Sequence, residues 1–301
     1  MKVALCFNIN YKNILVKEKL WKEWIYYNRD IIHVYFHYKK NVPIKSPWVA
    51  KHCIPRKFIR ETSYFHVVPA LMTLLSYAYK DNENKWFCLL TDSCVPIISP
   101  EEFRKLFFQH SSETIFHWYF PNWNIQYHKR ANLYKLPRQL HLANDPWFVM
   151  TRLDVFYCLK FITDKKALYN TISQGIIANE SIFAIILFCY NRILNVINEH
   201  SSICDWTRKT SPTSPYVFRL ENAESDKEII TKASKNKYSI FLRKIHYSFP
   251  DSIIENIIFP FNRTKYTEYQ LSSVLYRPKT NWWPFIAIAG ICLIICFSIS
   301  I

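Results

Sequence analysis

Residues Trp86–Pro100, WFCLLTDSCVPIISP, decide the fold. Trp86, Phe87, Cys88, Leu89 and Leu90 form a short apolar run that ends in polar residues, the pattern of a buried strand. Asp92 and Ser93 then fall where such a strand ends, and in open α/β sheets ligands gather beyond the carboxyl ends of strands. The same two residues also suit an ordinary turn. Ser99-Pro100-Glu101-Glu102 reads as a helix start, with a serine cap, proline at the first position and carboxylates in the first turn. Upstream, Val67–Tyr79 carries Leu71, Leu74 and Leu75 at helical spacing and stops at the turn-forming Asp81-Asn82-Glu83-Asn84.

Working outward, Lys2–Phe7 reads as a first buried strand, with no charged and apolar leader before it. Tyr11–Asn28 has the apolar spacing of a helix (Leu15, Leu20, Trp24), Ile31–His37 reads as a strand, and Ile54–Glu61 as a short one. This β-α-β-α-β order over the first hundred residues predicts an α/β fold with a mostly parallel sheet and helices on both faces. Beyond Ser111 the pattern loosens. Thr114–Phe120 and Pro146–Arg152 read as strands, and Asn122–Leu142 as a basic, aromatic loop. Asp154–Ile162, Glu180–Asn191, Lys227–Ser234 and Ser252–Ile258 read as helices, and Tyr238–Leu242 as a strand.

Composition narrows the chemistry. With 301 residues, half of them hydrophobic, the chain can bury a substantial core. Its formal charge of +16 calls for an anionic partner. The cations are scattered, however, where a nucleic-acid surface gathers them in a stripe, so no nucleic-acid partner is expected. There are two glycines, Gly175 and Gly290, too few for a Walker loop or a GxGxxG turn. Any phosphate must therefore be held by side-chain cations, helix N-termini or a metal. The nine cysteines show no CxxC or Cys/His ligand spacing, which argues against structural zinc and fits a reducing compartment. HExxH, GxSxG and Asp-x-Asp do not occur, and His117, His128 and His141 lack ligand spacing, so no metal is expected.

The C-terminal 285–301 segment contains no charged residue and follows Trp282-Trp283. A spanning helix takes about 20 apolar residues with aromatic belts, so this run is read as a C-terminal transmembrane anchor joined by linker residues 276–284 to a body of residues 1–275. Arg277 and Lys279 on its flank favour a cytosolic body under the positive-inside rule.

Several residues can carry chemistry, each with a structural alternative. Glu180, at the start of an apolar helix, is a candidate general base or a carboxylate that complements the helix dipole. Arg219, Arg243 and Lys244 suit a diphosphate or are surface cations. Trp147 and Trp206 offer a ring face to a sugar or pack in the core.

Five stretches together resemble the core-2/I-branching β-1,6-N-acetylglucosaminyltransferase family, which includes peptide O-xylosyltransferases and plant relatives. Val67–Pro96, VVPALMTLLSYAYKDNENKWFCLLTDSCVP, is similar to the family's helix, Asn-rich turn and FvLLSesCiPl strand. ANDPWFVMTR (143–152) resembles GSQWFVLTR, and ANESIFAIIL (178–187) resembles DEhYlpTvL. CDWTRKTSPTSP (204–215) resembles the vDWs…HP loop, and FLRKI (241–245) resembles FaRKF. The resemblance covers about residues 1–250. It implies a GT-A-like nucleotide-sugar-binding fold and an inverting, metal-independent transfer of a sugar, GlcNAc or xylose foremost, from a UDP-sugar to a glycan or protein hydroxyl. It also implies Glu180 as the base, Lys244 and Arg219 at the diphosphate, and Trp206 at the acceptor; beside it, the strand-end reading puts Asp92 and Ser93 at the rim of the nucleotide-sugar cleft and the ring-face reading puts Trp147 at the acceptor. A lumenal body is a further implication, against the cytosolic one favoured by the flanking charge. The sequence departs from the family at Asn179 (an Asp there), at Ser214 (the His of HP) and in lacking the WRKG lead. These departures leave open an inactive glycan-binding or membrane interaction protein of the same fold.

Overall fold

The structure is a computed structural model, and it describes residues 1–9, 12–211 and 213–260. In chain order the elements are β1 (Lys2–Asn8), α1 (Glu18–Tyr26), β2 (Ile32–His37), α2 (Pro47–Lys51), α3 (Val68–Tyr79), β3 (Asn84–Thr91), β4 (Cys94–Pro96) and α4 (Pro100–His110). There follow β5 (Trp118–Tyr119), α5 (Ile125–His128), β6 (Ala143–Asn144), β7 (Val149–Thr151), α6 (Arg152–Asp164), α7 (Lys166–Ser173) and α8 (Ile182–Cys189). The described chain closes with β8 (Ser202–Cys204), α9 (Ala223–Ser234), β9 (Phe241–Arg243) and α10 (Asp251–Ile258).

The main sheet runs β2-β1-β3-β7. β1 pairs in parallel with both β2 and β3, as the β-α-β-α-β order predicts, and β7 joins β3 antiparallel. β1 and β3 are buried along almost their whole length, which is why both read as continuous apolar runs rather than alternating ones. α3 lays Val68, Leu71, Leu74, Leu75 and Ala78 into the core against these strands.

The opening stretch forms as read. β3 ends at Thr91, and Ser99 caps α4 in a full capping box with Glu102: Ser99 Oγ accepts from the Glu102 amide, and the Glu102 carboxylate accepts from the Ser99 amide. The segment between is latched by α1. Trp21 Nε1 donates to the Cys94 carbonyl (2.9 Å), Trp24 Nε1 to that of Ile98 (2.9 Å), and Asn28 Nδ2 to that of Pro100 (2.8 Å). Each bond gives a buried indole or amide its partner.

Three readings need correction. The helix expected over Tyr11–Asn28 is confined to Glu18–Tyr26, because Asn13 and Lys17 sit at positive φ and the Asn13 side chain ties this loop to Lys39 and Val42. Ile54–Glu61 is not a strand. Cys53 makes one bridge with Phe36, after which Pro55 has no N–H to continue a ladder and a 3-10 turn follows over Arg56–Phe58. Thr114–Phe120 is strand only at Trp118–Tyr119, with Ile115 making single bridges to Val149 and Ile197.

A second, three-stranded sheet runs β4-β9-β8, with β9 central, antiparallel to β4 and parallel to β8. Among the described residues, no helix is long and apolar enough to cross a membrane. The expected anchor at 285–301 and its linker lie outside the described residues.

Candidate active site

The small sheet builds the site. Its central strand β9 pairs Arg243 with Cys94 on one side and with Cys204 on the other. Cys94 directly follows Asp92-Ser93, and Cys204 directly precedes Asp205-Trp206, so two sequence-distant polar loops meet at the end of β9. Two backbone bonds staple the junction. Ile245 N–H donates to the Ser93 carbonyl (2.9 Å), and Phe218 N–H donates to the Lys244 carbonyl (2.9 Å), which brings Arg219 alongside.

These loops line a cleft of about 930 Å³. All eight residues singled out in the sequence line it: Glu180, Arg219, Arg243, Lys244, Asp92, Ser93, Trp206 and Trp147. Their surroundings differ. Trp206 is 49 % exposed and presents a broad apolar surface. Trp147 is only 8 % exposed and belongs to the hydrophobic core, but it still reaches the cleft wall, where the Arg243 guanidinium lies 5.4 Å from its ring centroid. It therefore packs in the core and lines the cleft at once.

Burial pushes the Asp92 carboxyl up from 3.8 to about 6, against the pull of Arg243 and Lys244. Burial likewise lowers the Lys244 ammonium, helped by repulsion from Arg243. Two adjacent cations and a half-buried carboxylate thus share one end of the cleft.

Glu180 is not in the first turn of a long helix, as the sequence suggested. It ends a separate 3-10 turn, Ala178–Glu180, and α8 starts two residues later. Ile177 before it adopts a left-handed conformation, and Ser181 after it is non-helical. The break aims the carboxylate at the cleft while α8 buries Ile182–Leu187 behind it. Asn179 beside it is buried, and its carbonyl accepts from Asn144 Nδ2 (2.9 Å). Burial raises the Glu180 pKa; Arg130 opposes this through an ion pair at 3.0 Å to Oε2, while Asp145 reinforces it.

Arg130 had no sequence signal beyond its place in a basic, aromatic segment. Its guanidinium also lies 4.8 Å from the Trp123 ring centroid. A second unforeseen group is His117, Asp145 and His200, from three separate segments. His200 Nδ1 lies 2.5 Å from Asp145 Oδ2, and His117 Nδ1 lies 3.4 Å from the same oxygen. Burial works to raise the Asp145 pKa, but the two imidazoles outweigh it and hold the carboxyl low. His117 was set aside for want of ligand spacing, which cannot register partners brought together by the fold.

No match is found among curated proteins. The family model described as Core-2/I-Branching enzyme matches residues 5–242, a span that contains all of the main sheet but the first residues of β1, together with Glu180 and the loop carrying Trp206. The chain belongs to the Core-2/I-Branching enzyme family, a family of glycosyltransferases.

Proposed function

We propose that this chain is an inverting, metal-independent glycosyltransferase with a GT-A-like body, moving GlcNAc or xylose from a UDP-sugar to a glycan or protein hydroxyl. One observation carries the reading: residues picked from five separate motifs, spread from Asp92 to Lys244, line a single cleft. Glu180 takes the proton of the acceptor hydroxyl as that oxygen bonds to the anomeric carbon. The bond from that carbon to the UDP oxygen breaks in the same step, and the electron pair leaves with UDP. Lys244 and Arg219 meet the charge that develops on the diphosphate, the task a metal performs elsewhere. Asp92 is an acceptor, so it suits hydroxyl or N–H groups of the nucleoside or sugar, with Ser93 beside it. Trp206 and Trp147 offer ring surface to the acceptor sugar.

The raised pKa of Glu180 suits this role, since a base works best with a pKa near the operating pH. The 285–301 tail serves as the membrane anchor in this proposal. Protease protection of the body in sealed microsomes separates a lumenal from a cytosolic placement.

A second reading, a glycan-binding relative without turnover, draws on the Arg130 ion pair over Glu180 and on Asn179 and Ser214 in place of the family's Asp and His. Calorimetry with UDP in EDTA, followed by a transfer assay, tells the two apart. The enzyme reading expects UDP to bind without metal and to bind more weakly in Lys244→Ala. UDP binding that requires a divalent ion would overturn the metal-independent mechanism. UDP bound with no turnover of any UDP-sugar would favour the second reading.

A further inference from the structure

We propose that His117, Asp145 and His200 form a binding site for a divalent transition metal, of the zinc class, on the wall of the cleft and separate from the diphosphate end. Their ligand atoms lie within 4.8 Å of one another, and all three residues line the cleft. The two imidazole rings stand 3.9 Å apart, centroid to centroid, and both turn Nδ1 toward the same carboxylate oxygen.

Hydrogen bonding alone does not account for that convergence. His200 Nδ1 engages Asp145 Oδ2 at 2.5 Å, but the 3.4 Å contact from His117 is poorly aimed, and His117 Nδ1 is buried without a hydrogen-bond partner. A buried imidazole nitrogen left in this state loses its solvation for nothing, a loss that coordination repairs. Zinc–nitrogen and zinc–carboxylate bonds of about 2.0–2.2 Å need donors that stand further apart than His200 and Asp145 do, so these two must separate by under about 1 Å. Asp145 sits in the short link between β6 and β7, and His200 in the loop before β8, so neither is locked inside a long element.

The donor set selects the ion. Two imidazoles with one carboxylate suit zinc and its first-row neighbours, whereas magnesium and calcium want oxygen alone. Three protein ligands also leave a coordination position open. That position is open to the cleft, which Glu180 also lines. It suits a water or an acceptor-sugar oxygen. The cluster of His33, Asp81 and Glu83 is a useful contrast, because there the Lys2 ammonium already stands 3.0 Å from His33 and 3.3 Å from Glu83.

The inference does not depend on the transferase reading, and its test reads metal alone. The full chain in detergent, stripped with chelator, is titrated with Zn²⁺ by calorimetry and with Co²⁺ by visible absorption. One equivalent is expected, with the ligand-field bands of nitrogen and oxygen donors and no thiolate charge transfer. His117→Ala and His200→Ala should each weaken binding about tenfold or more, and His33→Ala should leave it unchanged. No binding, thiolate bands in the parent chain, or undiminished affinity in a folded His117→Ala/His200→Ala double variant would overturn the site. The thiolate readout uses the parent chain, so it decides even if a variant fails to fold.

Discussion

Two carboxylate–arginine pairs in this molecule use the same chemistry toward opposite ends. Asp154 is 0 % exposed and is fully supplied with donors: Arg192 Nε at 2.7 Å, the Thr151 hydroxyl at 3.1 Å and the Thr114 hydroxyl. Glu180 is 24 % exposed, faces the cleft and receives one arginine, Arg130, at 3.0 Å. The first carboxylate is saturated and joins the start of α6 to the Thr114 segment and the residues after α8. The second sits in the cleft wall with that one ion-pair partner, and burial raises its pKa against the pull of the arginine. Saturation builds structure, and scarcity of partners leaves Glu180 free for the proton transfer proposed above.

The largest effect expected from breaking this contrast is chemical. Glu180→Gln keeps the volume and an acceptor oxygen for Arg130 but removes the base, so kcat for sugar transfer should fall about 10²–10⁴-fold with the melting temperature nearly unchanged. A variant that transfers sugar at the parent rate would remove Glu180 from the mechanism. Next in size is Asp154→Ala. It strips three donors of their acceptor and leaves Arg192 unpaired at a largely buried site, a loss of about 3–5 kcal/mol in urea unfolding. A loss under about 1 kcal/mol would show that Arg192 finds water instead.

The sequence foretold these two regions unequally, for physical reasons. The β1-α1-β2-α3-β3 half was legible because each element buries a continuous or periodic apolar set, and such patterns survive in one dimension. Ile54–Glu61 misled because its apolar residues pack without pairing, and the interruption by Pro55 outweighs their strand propensity. Trp147 and Trp206 were recognised as large rings, but nothing local separates an 8 % exposed tryptophan from a 49 % exposed one. Glu180 was located through its motif, yet its 3-10 turn was not, since ANE followed by an apolar run reads as an uninterrupted helix. Arg130 and the His117–Asp145–His200 group left no trace, because their meaning lies in partners 50, 28 and 55 residues away.

Asp92 tests the same contrast from the end of the cleft that holds Arg243 and Lys244. Its folded-state pKa is raised from 3.8 to about 6, so the folded chain holds a proton there that the unfolded chain has already released. Stability from this group is fully present below pH 3.8 and is lost as pH rises through about 6. The whole change amounts to at most about 3 kcal/mol. Asp92→Asn should flatten that part of the stability–pH curve and leave the protein more stable at pH 7. An unaltered curve would mean that Arg243 and Lys244 neutralise Asp92 more completely than its burial penalises it.

The smallest effect, that of Arg130→Gln, is the most discriminating, because removing the arginine from the other pair has a large one. Arg192→Gln leaves Asp154 charged and wholly buried, so it should destabilise the fold strongly. Arg130→Gln leaves Glu180 against an open cleft, where water can replace the lost partner, and should cost about 1 kcal/mol or less in stability. Its signature lies in the pH–rate profile. Arg130 opposes the burial that raises the Glu180 pKa, so without it the acidic limb of kcat should move to higher pH, with a severalfold loss of rate on that limb and little change above it. A merely structural arginine gives the other outcome: its loss would lower the melting temperature and leave the limb in place. A limb that stays put while stability drops would put Glu180 in the same class as Asp154, as a carboxylate that holds the wall of the cleft together rather than one that takes a proton there.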